Sequence, residues 1–203
     1  MAYSDFTLKK VKVELGINVI EDQNLFGNVP AITPSDLLLK TLEYNVPLAI
    51  AIGTEKARSE FIIANVLLEV RRILNNKISI FSGTNLDVNK EKGLTGYCDF
   101  ILTNSPERFY VTAPIIAIVE AKNESIIGGL GQCIAEMYAS CIFNNEEGYD
   151  VITTYGAVTT GNTWKFLKYK ENKAYVDLDE YYIETTGKIL GILVAMLKQD
   201  AAI

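Results

Sequence analysis

The segment IIAIVEAKNE, residues 115 to 124, constrains the fold more than any other stretch. It is apolar through Val119 and then carries Glu120, Lys122, Asn123 and Glu124. Side chains on a strand alternate between faces. Ile116, Ile118, Glu120 and Lys122 therefore share one face, and Ala117, Val119 and Ala121 the other. Both faces are apolar before Glu120, which marks a central strand covered on both sides. A chain with such a strand must build a sheet between two helical layers. Glu120 and Lys122 then project together, about 7 Å apart along the strand, where it meets the rim of the sheet.

The surrounding pattern supplies those layers. TPSDLLLKTLEYN opens as a helix, with Thr33 placed to cap, Pro34 at the first helical position and Asp36 in the first turn. After Pro47, LAIAIGT reads as a short apolar segment ending in a turn. TEKARSEFIIANVLLEVRRIL is the strongest helical pattern, with Thr54 capping and Ile63, Leu67, Val70 and Leu74 at helical spacing. Glu60 lies along the edge of that apolar stripe, while Glu55 and Glu69 read as surface residues. Strand patterns follow in KISIFSG, TNLDV, GYCDFILT and APIIAIVEAK. A helix is expected over about 124 to 143, then two or three strands with a turn near Gly161 and Asn162, then an apolar helix over 185 to 199. FTLKKVKVELGINVI, near the start, suits a short strand or a frayed helix equally. The expectation is one α/β domain over residues 1–203, a central mixed β-sheet flanked by α-helices, with its core over about 54 to 170. An N-terminal helical or strand extension precedes that core and the apolar helix follows it. That last helix, apolar nearly all round, demands burial in the core or against a second copy of the chain, as in a homodimer.

Composition narrows the chemistry. The chain contains no histidine, which removes every Ser-His or Cys-His pair and the commonest zinc ligand. Carboxylates, lysine, tyrosine or a metal-bound water must carry any reaction. Cys98, Cys133 and Cys141 are odd in number and lack CxxC spacing, so a reducing cytoplasm is the simplest home. No signal peptide is legible at the start, and the apolar run Ile189 to Leu197 is shorter than the ~20 residues a membrane span requires. The net charge of −6 disfavours tight, non-specific nucleic-acid binding. The one locally basic run, KFLKYKENK, suits a solvated hairpin better than a phosphate-binding stripe. Trp164 and Tyr155, Tyr169, Tyr181 and Tyr182 suit core or half-buried strand positions better than base stacking.

Asp99 is the lone charge in GYCDFILT. If that strand pairs with 115–121 as a hairpin, Asp99 and Glu120 lie side by side. Two carboxylates so placed repel and raise one pKa unless a cation neutralises them. Mg²⁺ suits such a site, since it takes one or two carboxylates together with waters and phosphate oxygens.

Asp99 followed by Glu120-Ala121-Lys122 resembles the signature of the PD-(D/E)XK phosphodiesterase superfamily, over roughly residues 54 to 169. More loosely, the chain is similar to a group of cyanobacterial proteins of that type. Cys98 stands where the named motif has proline. The resemblance implies the restriction-endonuclease-like fold and metal-dependent hydrolysis of a nucleic-acid phosphodiester, DNA ahead of RNA, with Mg²⁺ or Mn²⁺. It implies Asp99 and Glu120 as metal ligands and Lys122 as the residue orienting water or stabilising phosphoryl charge. It adds Glu60, on the preceding helix, as a further metal partner, and Gln132, on the following helix, to position the phosphate or hold Lys122. Glu136, one turn after Gln132, is spaced to reach the same face but reads more readily as helix surface. A rival reading keeps the fold and makes the carboxylate cluster structural, in a binding or assembly module. A third, a phosphoesterase for small substrates, fits the missing basic patch.

Overall fold

The computed structural model describes residues 1–151 and 153–199. Helix α1 (Leu8–Glu14) and strand β1 (Asn18–Gln23) form the N-terminal extension. So the ambiguous opening segment holds a helix and a strand in succession. Helix α2 spans Asp36–Ile52, followed by α3 (Glu55–Arg58), a π-helical turn (Ser59–Ile63) and α4 (Ala64–Ile73). Strands β2 (Ser79–Asn85), β3 (Tyr97–Thr103) and β4 (Ile115–Ala121) precede helix α5 (Ile126–Glu146). Strands β5 (Thr153–Thr159), β6 (Thr163–Lys170), β7 (Lys173–Asp177) and β8 (Tyr181–Tyr182) lead into α6 (Thr186–Lys198).

The strands make one mixed sheet in the order β1-β7-β6-β5-β4-β3-β2, with β8 beside β6. β4 lies inside it, antiparallel to β3 and parallel to β5. Every residue of β4 is buried. The two faces of β4 meet two separate cores, although Ile116, expected on the face of Ile118, joins the core of Ala117 and Val119. Ala117, Val119 and Ala121 pack with Leu38 of α2, Leu67 of α4 and Leu193 of α6. Ile115 and Ile118 pack with Val11 of α1 and Cys133, Ile134 and Met137 of α5. Each fully buried Leu, Ile or Val in such a layer stabilises the fold by about 1.5–3 kcal/mol.

Several local expectations change. Ser35, not Thr33, caps α2, its hydroxyl accepting from the Leu38 N–H at 3.2 Å. The helix runs through Pro47 and ends at Gly53, which adopts φ +69°. Proline inside a helix removes one i→i−4 bond, here the one to Glu43, and the rest of α2 tolerates it. Glu69 is buried rather than surface. Arg72 grips its carboxylate through two hydrogen bonds of 2.9 and 2.7 Å, and the Ser35 N–H donates to it at 2.9 Å. The pair locks α4 to the N-terminus of α2. The apolar C-terminal helix buries Ile189, Leu190, Ile192, Leu193 and Leu197 within this chain, which answers the demand its sequence made without a second copy. Helix α2 leaves several apolar residues exposed, among them Leu37, Tyr44 and Leu48, with Leu37 beside Leu68 of α4. Helix α5 is long and apolar enough to cross a membrane, yet over half of its apolar stretch is buried inside the fold, as befits a core helix.

Candidate active site

The hairpin of β3 and β4 sets the site. The register pairs Phe100 with Val119, and one further antiparallel step sets Asp99 across from Glu120. The Asp99 carboxylate accepts from the Ala121 N–H at 2.8 Å, so it is anchored to the rim of the neighbouring strand. Asp99 and Ala121 then line an open cleft of about 130 Å³ with Ser82 and Gly83 of β2 and Glu55, Lys56 and Ser59 of the helix before β2.

Glu120 is 1% exposed. One carboxylate oxygen accepts from Lys122 Nζ at 2.5 Å, and the other, Oε2, is buried with no hydrogen-bond partner. Burial, and then the Asp99 charge, push its pKa up to about 8 even though Lys122 pulls the other way. For Lys122 the largest influence is burial, which disfavours the ammonium, but the Glu120 carboxylate outweighs it and leaves the pKa above the ordinary lysine value. Lys122 therefore stays charged at neutral pH.

Helix α5 closes the other side. Ser125 caps it by accepting from the Gly128 N–H. Gln132, in its second turn, accepts from Lys122 Nζ at 3.2 Å and donates through Nε2 to Glu136 at 3.1 Å. Glycine at position 129 makes this approach feasible. A Cβ there would come within 2.7 Å of Val158 and 3.1 Å of the Lys122 side chain. Gly131 admits a different neighbour, the N-terminal segment, for its Cβ would lie 2.4 Å from the Thr7 backbone.

The structure thus brings Asp99, Glu120, Lys122 and Gln132 together. Among the described residues no hydrogen bond or ion pair joins Glu60 to the group: its half-exposed side chain pairs at 3.1 Å with Lys56, which lines the cleft. Glu60 lies within the π turn. That turn inserts one extra residue, which rotates the preceding helix by about 100° relative to an unbroken pattern. Asn45 and Asn65 donate to the Phe61 carbonyl that the turn loosens. Glu55 is at the surface as expected, where it lines the open cleft, and its charge is felt at Glu120 and Lys122.

Two further participants join the site, Glu136 by the less favoured of its two sequence readings and Arg58 without any sequence signal. Glu136 is fully buried, with Oε2 unpartnered, and burial followed by the Glu120 charge raises its pKa well above the carboxylate range. Its spacing of four from Gln132 was the available signal. Arg58 donates to the Thr160 carbonyl at 2.9 Å and to Asn123 at 3.3 Å, which ties the helix to the loops after β4 and β5. No spacing pattern foretells that contact.

The basic run does not form a phosphate-binding stripe. Lys168 is buried over the Tyr175 ring, Lys165 donates to the Leu178 carbonyl and Lys170 sits 3.8 Å from Glu171. Trp164, Tyr155, Tyr169 and Tyr181 are core residues, and Tyr182 is exposed.

The donor set suits a small, hard cation. Glu120 has a buried oxygen without a partner, and Asp99 uses one oxygen on a backbone N–H and lines the cleft. Among the described residues no three Asp, Glu, Cys or His side chains are gathered tightly enough to hold an ion unaided. Two carboxylates completed by water is nevertheless the usual manner of Mg²⁺. No protein family, curated protein or solved structure matches this chain.

Proposed function

We propose that the chain is a phosphodiesterase of the PD-(D/E)XK type, hydrolysing nucleic acid, DNA ahead of RNA, with Mg²⁺ or Mn²⁺ held by Asp99 and Glu120. One observation carries this reading. Asp99, Glu120 and Lys122 meet at the ends of two paired strands beside an open cleft, and the Glu120 oxygen Oε2 lacks any partner. Orphaned buried carboxylate oxygens are costly, and a site tolerates one when a ligand completes it.

When bound, a divalent cation lowers the pKa of a coordinated water and polarises the phosphate. The chain's own residues do the rest. Lys122, held charged, supplies a fixed cation for the phosphoryl oxygens and is unsuited to be a base. Asp99, pinned by the Ala121 N–H, keeps its position without a flexible side chain having to be ordered during the reaction. Gln132 holds Lys122 from the helical side. Glu60, paired with Lys56, has no part in this proposal.

The test is incubation with single-stranded DNA, double-stranded DNA and RNA, with Mn²⁺, with Mg²⁺ and with EDTA. Cleavage that requires metal and disappears in Asp99→Asn, Glu120→Gln and Lys122→Ala is expected. Failure to cleave any substrate, or cleavage indifferent to those substitutions, would sink the reading.

A second reading, an assembly module in which the cluster is structural, draws on the exposed apolar residues of α2 rather than on the C-terminal helix. A mass measured across a concentration series separates a second copy of the chain from a monomer.

A further inference from the structure

Beyond the strand residues lies a buried carboxyl group that the proposed reaction leaves unused. Glu136 sits on α5 with no exposure, one helical turn after Gln132. Its Oε1 accepts from Gln132 Nε2 at 3.1 Å, and the same amide's Oε1 accepts from Lys122 Nζ at 3.2 Å. Lys122 in turn donates to Glu120. Four side chains from the end of β4, the residue just after it and α5 therefore form one line: Glu136, Gln132, Lys122, Glu120.

The chemistry of the middle member makes the end member matter. A glutamine amide has two ends of nearly the same shape and opposite hydrogen-bonding character. Lys122 is a donor only, so it needs the amide oxygen. With the amide turned over, two N–H groups would face an ammonium and both contacts would be lost. An acceptor beyond Nε2 reinforces the productive orientation from the far end of the amide. Glu136 is that acceptor, placed where solvent cannot substitute for it. Tyr3 and Cys98 come close enough to feel its charge, so the N-terminal segment and β3 seal the same pocket.

We infer that Glu136 is a positioning residue, which fixes the Gln132 amide so that Lys122 is held against Glu120 from the helix side. This rests on the proposed nuclease reading for its effect on rate, but not for its geometry, and the two are tested separately. The geometric arm uses ¹⁵N-labelled protein without metal. The Gln132 side-chain amide, assigned by its disappearance in Gln132→Met, should give two distinct proton resonances that exchange slowly with solvent. In Glu136→Met, which lacks an acceptor at similar length, they should exchange at least 10-fold faster. Glu136→Gln, which keeps an acceptor, should restore slow exchange. Fast, free-amide behaviour in the unsubstituted protein would overturn the proposal without any variant. So would a folded Glu136→Met with an unchanged Gln132 signal. If Glu136→Met does not fold, the Glu136→Gln and unsubstituted spectra decide.

The kinetic arm uses Mn²⁺-dependent cleavage of the DNA or RNA probe that the chain cuts. Glu136→Met should lower kcat at least 10-fold with KM within about 2-fold, and Glu136→Gln should recover most of that loss. A KM effect with unchanged kcat would overturn the positioning role. If no probe is cut, the nuclease reading fails and the amide exchange still decides the geometry.

Discussion

Glu69 on α4 and Glu120 on β4 are both buried glutamates beside a basic side chain, in two regions of one molecule. At Glu69 three donors, two from Arg72 and one from the Ser35 backbone, occupy both oxygens, and Arg72 foremost holds the pKa down to about 2. At Glu120 a single donor, Lys122, occupies one oxygen, and burial and Asp99 lift the pKa to about 8. Burial is common to the two; satisfaction is not. The fully satisfied carboxylate fastens helices together, and the half-satisfied one leaves an oxygen free for the cation of the proposed reaction.

The largest expected effect breaks the symmetry of function. Lys122→Ala and Asp99→Asn should each lower metal-dependent cleavage about 1000-fold or more. Arg72→Ala should leave kcat unchanged, measured at a temperature where both proteins are folded. Equal losses at both places would end the distinction. Next comes metal. Mn²⁺ at about 100 times its Kd should stabilise the native chain by about 2.7 kcal/mol, raising Tm by about 5 to 10 °C, and should not do so for Asp99→Asn.

Stability should then move in opposite senses. Glu69→Ala leaves the Ser35 N–H and Arg72 without their acceptor and should cost about 2 kcal/mol, a fall in Tm of about 4 to 8 °C. The folded pKa of Glu69 lies below the ordinary 4.5, so its contribution is full above pH 4.5 and is lost as pH falls towards 2. For Glu120 the folded pKa lies above 4.5, so the native state binds the extra proton and stability drops as pH rises from 4.5 through about 8. In EDTA, Glu120→Gln should match the unsubstituted chain near pH 4 and exceed it by about 2 to 4 °C above pH 8. Thermal melts across pH in the two variants decide this. The smallest expected effect is at Glu60, whose pairing with Lys56 is a surface one. Glu60→Ala should change stability by less than about 0.5 kcal/mol and cleavage by less than about 2-fold. A large loss of cleavage there would return that helix residue to the site.

The legible part of the molecule was the part governed by local periodicity. The doubly apolar run before Glu120 announced a central strand, and the lone charge of Asp99 in its strand announced a partner across the hairpin. The α/β architecture followed from the order of such patterns. What stayed hidden depends on long-range or non-periodic geometry. The π turn at Ser59–Ile63 has no composition cue, and neither does the place of the exposed Glu55 on the cleft wall. Glu136 looks like helix surface because its cover comes from Tyr3 and its surroundings, more than 100 positions earlier in the chain. Pro47 reads as a stop, but the flanking turns of α2 carry the helix past it.

Strand β1 has a consequence in time. It pairs in parallel with β7, where Asn18 meets Lys173, and the Asn172 side chain reaches back to the Gly16 carbonyl across 156 positions. During synthesis at about 5–20 residues per second, β1 is finished roughly 8 to 30 seconds before its partner exists. For that interval it is a strand without a neighbour, the condition in which wrong pairings form. Glu21 and Asp22, adjacent and exposed within the strand, supply like charge that discourages such pairings with another nascent copy. The earliest strand made is thus among the last to find its place in the sheet, and it carries its own protection for the wait.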